Sequence, residues 1–212
     1  MKHQKTIIDI YNKHAEDYDH KFRDFDLYND TFDDYLNLIS PNSTLLELGC
    51  GPGNVIKYLQ QHRPYLEITG IDLAENMLAL ARKNCPKASY RLMNIMDIES
   101  LEEKYNAIVA AFCLPYIAPE NLDTFFHNLE TKIKSKGFIY LSCMEGEAEK
   151  SGFEKTSFTG ESDLYIYYHQ RAVLEAKIKQ HGFSIVQSYT KDYPETDGST
   201  TTDLIYIGCK RD

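Results

Sequence analysis

No apolar run in this 212-residue chain is long enough to span a bilayer, and the segment from Met1 to Asp9 lacks the hydrophobic stretch of a signal peptide. The sequence therefore predicts a cytoplasmic protein with no membrane attachment. Positive charge is scarce: 23 Lys and Arg against 32 Asp and Glu leave a formal net charge of -9. Such a surface repels nucleic-acid phosphates and anionic lipids, which argues against both as general partners. The five cysteines are odd in number, widely spaced and never arranged as C-x-x-C, so they read as buried apolar residues in a reducing compartment. The seven histidines are equally scattered, and no short-spaced Cys/His set predicts a metal site. No long Gly/Ser/Pro linker, internal repeat or low-complexity tract divides the chain, and its length suits one core.

From residue 44 onward, short β-rich runs alternate with segments of helical period. Strands are predicted at 44–48, 67–72, 89–93, 105–113 and 138–143, and helices at about 53–63, 75–84 and 119–133. This is the pattern of βαβ units around a parallel sheet. Pro64 and Pro86 follow the first two helices, and Pro119 stands where a first helical turn begins. The run from Ala107 to Phe112 is apolar on both faces, as expected of a central strand covered on both sides. Near the end a helix at 170–181 stops at Gly182, and strands at 183–190 and 202–209 are joined through Pro194 to Gly198 as an antiparallel hairpin. At the start, Ile7, Tyr11, Ala15, Tyr18, Phe22 and Phe25 recur at steps of three or four and predict one amphipathic helix, followed by a second at 31–39.

The most informative stretch is Leu45-Leu46-Glu47-Leu48-Gly49-Cys50-Gly51-Pro52-Gly53-Asn54, where an apolar strand delivers an acidic residue into a loop with glycine at alternate positions. Glycine there permits backbone angles closed to other residues and lets a ligand approach the main chain. A dinucleotide fingerprint would read G-x-G-x-x-G, but Asn54 stands in the third glycine's place; no Gly-Lys-Ser/Thr follows, which excludes a Walker phosphate loop. An acidic residue suited to ribose hydroxyls is present as Asp72, 19 residues beyond Gly53.

These residues resemble the class I S-adenosylmethionine-dependent methyltransferase family: the segment from Glu47 to Gly53, then Gly70-Ile71-Asp72-Leu73, then Asn94-Ile95-Met96-Asp97-Ile98 after the third strand, with an N-terminal Tyr11 to Asp19 segment similar to the family's cap. The resemblance covers residues 11 to about 143, and the closing hairpin is similar to the family's reversed last strand. It implies a Rossmann-like, doubly wound α/β fold with a mainly parallel seven-stranded sheet, an antiparallel C-terminal hairpin and an N-terminal helical cap. The implied parts are a cap over 1–40, a cofactor-binding core over 41–143, and a C-terminal helix and hairpin over 171–212; the stretch 144–170 has no assignment in the resemblance and is read from its position as a candidate substrate lid. The implied cofactor is S-adenosyl-L-methionine, leaving S-adenosyl-L-homocysteine, with Tyr18, Glu47, Gly49, Cys50, Gly51, Gly53, Asp72, Leu73, Asp97, Ile98 and Ala111 around it. The chemistry of the residues agrees. A cationic sulfonium needs no phosphate cradle and is favoured by Glu47, Asp72 and Asp97, while Asp72 is suited to accept from both ribose hydroxyls.

The resemblance implies a small-molecule acceptor whose identity these residues leave open. Phe112-Cys113-Leu114-Pro115-Tyr116 departs from the N/D-P-P-Y pattern of amino-methylating relatives, so it does not mark an amino acceptor. Tyr116, above the sheet's carboxyl edge, and His169, the histidine best placed for a general base, are the catalytic candidates. Residues 145–169, rich in Gly, Ser, Thr and Glu before an aromatic run, sit where a loop selects substrate. Two other readings remain open: an NAD-dependent oxidoreductase, and a non-catalytic module that binds S-adenosylmethionine.

Overall fold

The computed structural model describes residues 4–195 and 198–212. Three N-terminal helices, α1 (Gln4–Lys13), α2 (Ala15–Phe22) and α3 (Asn29–Leu38), precede a regular alternation: β1 (Thr44–Leu48), α4 (Asn54–His62), β2 (Glu67–Asp72), α5 (Glu75–Asn84), β3 (Ser89–Leu92), β4 (Tyr105–Ala110), α6 (Leu122–Lys132) and β5 (Ile133–Met144). A small hairpin of β6 (Gly152–Lys155) and β7 (Asp163–Ile166) follows, then α7 (Arg171–Gln180), β8 (Phe183–Pro194) and β9 (Thr200–Lys210). The seven-stranded sheet has the order β3-β2-β1-β4-β5-β9-β8. The first five of these run parallel, and β9 returns antiparallel to both β5 and β8. Strand order reverses between β1 and β4, the switch point where an open α/β sheet leaves a crevice at its carboxyl edge.

The pleat divides the core. Leu46, Leu48, Ile108 and Ile139 pack on one face with Phe125, Phe126 and Leu129 of α6 and Leu174 and Ile178 of α7. Leu45, Ala107, Val109 and Tyr140 pack on the other with Phe32, Tyr35 and Leu36 of α3, Ile56 and Leu59 of α4, and Leu78 of α5. Glu47 has the parity of Leu45, so its carboxylate enters this second layer and is 2% exposed. Among the described residues no helix is long and apolar enough to cross a membrane.

Four expectations need correction. The N-terminal amphipathic stretch is two helices, broken at His14, where Asn12 is tied to the start of α5 by Asn76 N–H to its side chain at 2.9 Å and Asn76 Nδ2 to its carbonyl at 2.8 Å. The fourth strand stops at Ala110 rather than residue 113, because Phe112 takes a left-handed φ of 54° and its N–H turns to Ser142 Oγ at 2.9 Å. Strand β5 starts at Ile133, ahead of the expected residue 138, after an irregularity in its pairing with β4 between Tyr105 and Ala107. The unassigned stretch after Met144 contains β6 and β7. In the connection of β8 to β9, Thr196 and Asp197 lie outside the described residues.

Tyr35 tests how the cap is held to the sheet. Its fully buried hydroxyl donates to the carbonyls of Ile108 at 3.2 Å and Phe138 at 3.0 Å, which joins α3 to the central strands. Tyr35→Phe keeps the ring and removes only those bonds, so it is expected to cost about 1–2 kcal/mol. Tyr35→Ala, which also leaves a cavity, is expected to cost about 3–5 kcal/mol. Urea unfolding monitored by circular dichroism checks both values; the Phe variant lowers the midpoint without changing the slope.

Candidate active site

The glycine loop leaves β1 at the switch point with all three glycines in the left-handed region, Gly49 at φ 64°, Gly51 at 51° and Gly53 at 89°. Only glycine occupies that region without strain. A Cβ on Gly49 would meet Cys113 Cβ at 3.3 Å, whereas one on Gly51 would meet only the Tyr18 ring at 3.8 Å. Gly53 does a different job. It abuts α5 at Ala81 and Cys85 and caps α4, so it serves close helix packing and faces no cavity.

Asp72 ties the loop to β2. Its Oδ2 accepts from Gly51 N–H at 2.8 Å and its Oδ1 from Ala74 N–H at 2.8 Å. Burial raises the carboxyl above its ordinary range, while the N–H donors of Ala74, Gly51 and Leu73 pull it back down. Each oxygen keeps a further lone pair, so two hydroxyl donors fit at the same group. Beneath it, burial and the nearby Asp72 push the Glu47 carboxyl well up, and Glu47 Oε2 is buried with no hydrogen-bond partner among the described residues.

Two cavities open at this edge. The smaller, about 280 Å³, is lined by Gly49, Gly51, Asp72 and Leu73 on one side and by Ala111 and Tyr116 on another. The larger, about 510 Å³, lies between α2, the β6–β7 hairpin and the ends of β8 and β9. Tyr11, Tyr18, Ala111, Phe112 and Tyr116 belong to both walls. The hydroxyls of Tyr11 and Tyr116 share a hydrogen bond, and Phe158, from the β6–β7 connection, stacks on Tyr11 at 5.5 Å and meets Tyr18 edge-on at 5.4 Å. Burial pushes the Tyr116 hydroxyl up to about 12, so it holds its proton at neutral pH.

The structure thus brings Tyr18, Gly49, Gly51, Asp72, Leu73, Ala111 and Tyr116 together and leaves others apart. Asp97 is exposed on a 3₁₀ turn and lines neither cavity, and Ile98 is fully buried in the core below that turn. The residues at that place are Met93, Asn94 and Ile95, directly after β3; Asn94 also caps the 3₁₀ turn by accepting from Met96 N–H at 3.0 Å. The strand-end rule that identifies Asp72 identifies Asn94 too, but the eye is drawn to the acid three residues on. The Cys50 side chain points into the core toward Gly70 and Ile56, away from both cavities. Asn54 and Val55, in the first turn of α4, line the larger cavity.

His169 is 3% exposed, absent from both walls, and donates from Nε2 to the Leu114 carbonyl at 3.0 Å. Burial lowers its pKa, so it is a neutral structural ring rather than a base facing a substrate. Phe112 escaped notice in the sequence because it reads as strand. In the structure its left-handed backbone, a strain of about 1–3 kcal/mol, aims the ring between the two cavities.

One further acid matters. Asp203 on β9 lines the larger cavity, is 2% exposed and accepts from Tyr28 O–H at 2.6 Å. Burial raises its carboxyl to about 7, with Glu195 and Asp192 adding to the shift. The unfolded group titrates near 4, so the folded state holds the extra proton between about pH 4 and pH 7, and stability falls as the pH rises through that window. Asp203→Asn keeps the Tyr28 bond without the charge. It is expected to raise the melting temperature at pH 8 by roughly 2–8 °C and to leave that at pH 4.5 nearly unchanged, as checked by scanning calorimetry.

Comparison with known proteins places this geometry. The family model described as "Methyltransferase domain" matches residues 45–137. The chain is 32% identical over 105 residues to the malonyl-[acyl-carrier protein] O-methyltransferase of Bacillus cereus; the match covers 49% of this chain and 38% of that enzyme, well short of its length. Among solved structures, an S-adenosylmethionine-dependent methyltransferase from Clostridium acetobutylicum superposes with a TM-score of 0.72 at 16% identity, covering 96% of this chain and 100% of that one. The 1,6-didemethyltoxoflavin-N1-methyltransferase of Burkholderia thailandensis superposes at 0.71 and 15% identity, covering 100% and 90%. The domain model and the whole-chain superpositions converge on one sheet and one loop: residues 45–137 match a methyltransferase domain, and the chain as a whole has the fold of S-adenosylmethionine-dependent methyltransferases.

Proposed function

We propose that the protein transfers a methyl group from S-adenosylmethionine, held in the smaller cavity, to a small molecule held in the larger one, leaving S-adenosylhomocysteine. The observation that carries this reading is the pair of cavities with a common wall at Tyr11, Tyr18, Ala111, Phe112 and Tyr116, one of them built on the glycine loop. The Asp72 carboxyl on the smaller cavity's wall suits a ligand that brings hydroxyl donors, whereas Glu47, expected at the cofactor, lies buried behind the loop and lines neither cavity. When bound, the cofactor supplies an electrophilic methyl on a sulfonium whose thioether leaves without protonation.

The rest of the work falls to the chain. Asp72 accepts from the ribose hydroxyls and fixes the loop through Gly51; Met93, Asn94 and Ile95 form the wall for the adenine; Tyr18 and Tyr11 cover the site from the cap. The segment 144–170 serves as the lid over the acceptor, through Glu154, Thr156 and Phe158 on the larger cavity's wall. Ring-lined walls exclude water and hold the acceptor's nucleophile toward the methyl, which supplies proximity without a dedicated catalytic dyad. The Burkholderia thailandensis structure holds 1,6-didemethyltoxoflavin and S-adenosylhomocysteine together, and two ligands bound at once are proposed here as well.

Titration calorimetry tests the assignment. S-adenosylhomocysteine is expected to bind and NAD is not, and Asp72→Asn is expected to weaken S-adenosylhomocysteine about 10- to 100-fold, the value of a charge-assisted hydrogen-bond pair. Affinity for NAD alone points to an oxidoreductase. Tight S-adenosylhomocysteine binding without turnover of any acceptor in a metabolite screen points to a non-catalytic module.

A further inference from the structure

The larger cavity has an inner end whose chemistry is not explained by the fold. Asp203 sits on β9, an interior strand of the sheet, where a buried carboxylate raises the cost of folding. Its cross-strand neighbour on β8 is Lys191, the nearest candidate counterion by register, yet that ammonium is bound to Asp30 at 2.6 Å. The basic side chains of the cavity wall are also occupied elsewhere. Arg23 pairs with Asp19, Lys57 with Asp24 at 3.5 Å, and Lys155 with Asp163 at 2.9 Å. Asp203 is therefore left with a hydroxyl partner, Tyr28.

Two more carboxylates face the same end. Glu154 on β6 pairs across the hairpin with Leu164 on β7, and this face, with Ile166, lines the cavity. An acid at an inward strand position breaks the apolar pattern, which marks a functional position more than a packing one. The Tyr168 hydroxyl donates to Glu154, the Glu195 carboxylate lies nearby, and burial raises the Glu154 pKa. Glu195 in turn accepts from Thr201 Oγ1 at 2.6 Å.

Aromatic rings enclose this acidic end. Tyr28, which donates to Asp203, lies 4.8 Å from Phe112 and 5.7 Å from Phe25, and Phe25 lies 5.6 Å from Tyr193. All four line the cavity. Ring faces and carboxylates at this buried end together attract an organic cation more strongly than water does, whereas an anion is repelled and a neutral polar group gains little.

We propose that the larger cavity takes an acceptor bearing a cationic amine, with the ammonium seated between Asp203 and Glu154 among Phe25, Tyr28, Phe112 and Tyr193, and an apolar body reaching toward the wall shared with the cofactor cavity. This rests on the methyl-transfer reading for the word acceptor; the site itself rests on the cavity, the carboxylates and the rings. The ammonium is an anchor, and the atom that receives the methyl lies elsewhere on the molecule or on a second, uncharged nitrogen.

The test uses three probes of one shape: 2-phenylethylamine, 2-phenylethanol and 3-phenylpropionate, titrated calorimetrically into the full chain with and without saturating S-adenosylhomocysteine. The amine is expected to bind at least tenfold more tightly than the alcohol, and the carboxylate to bind more weakly than either. Asp203→Asn, expected to be the more stable protein at pH 8, should lose at least tenfold for the amine and leave the alcohol and S-adenosylhomocysteine unchanged. Glu154→Gln, at the half-buried side of the pocket, should lose less in the same direction. No measurable amine binding at millimolar concentration, equal binding of amine and alcohol, preference for the carboxylate, or an amine preference that survives both substitutions overturns the proposal. Failure of S-adenosylhomocysteine to bind while the amine preference holds would instead count against the cofactor reading alone.

Discussion

The contact from Gly51 N–H to Asp72 Oδ2 holds the arrangement together. It fastens the loop after β1 to the end of β2, at the point where strand order reverses, and so sets where the crevice opens. Glycine is needed at residue 51 because the backbone must be left-handed to present that N–H, and an acid is needed at 72 because a buried loop amide requires a strong acceptor. The cap then docks on the same place: Tyr18 lies over Gly51, and Ala15, Ala74 and Met77 pack where α2 meets α5. Loop, strand and cap are three parts of one closure.

Electrostatics follows from that closure. Glu47, Asp72 and Asp203 are acids in places that water does not reach well, and burial raises each of them. A fold selected for stability alone would put neutral groups there. Asp72 and Asp203 line the cavities, so on the proposed reading their cost is offset by ligands that bring hydroxyl donors or positive charge, while Glu47 stays behind the loop.

Much of the fold was legible because its signals are local. The β-rich runs at 44–48 and 67–72 and the apolar stripe of α6 each follow from a period readable in a dozen residues, and Asp72 follows from its place at a strand end. The misses have a common physical cause. Phe112 looks like strand because its type is apolar and its left-handed turn is set by Ser142, on another strand. Asp97 looks like a ligand residue because its charge is conspicuous, but the 3₁₀ turn capped by Asn94 points it outward. His169 looks like a base by type, yet its partner is a carbonyl 55 residues away, and Glu154 and Asp203 come onto one cavity wall only through the folded chain. Contacts between distant elements carry these assignments, and no window of sequence contains them.

Tyr11, Tyr18 and Tyr116 form a partition rather than two separate roofs. On the proposed reading, a ligand on either side meets the same rings and the same bond between two hydroxyls, which makes the affinity on one side depend on occupancy of the other. By thermodynamic reciprocity that dependence is equal in both directions. On the proposed two-ligand reading, the shared wall therefore couples the two cavities energetically.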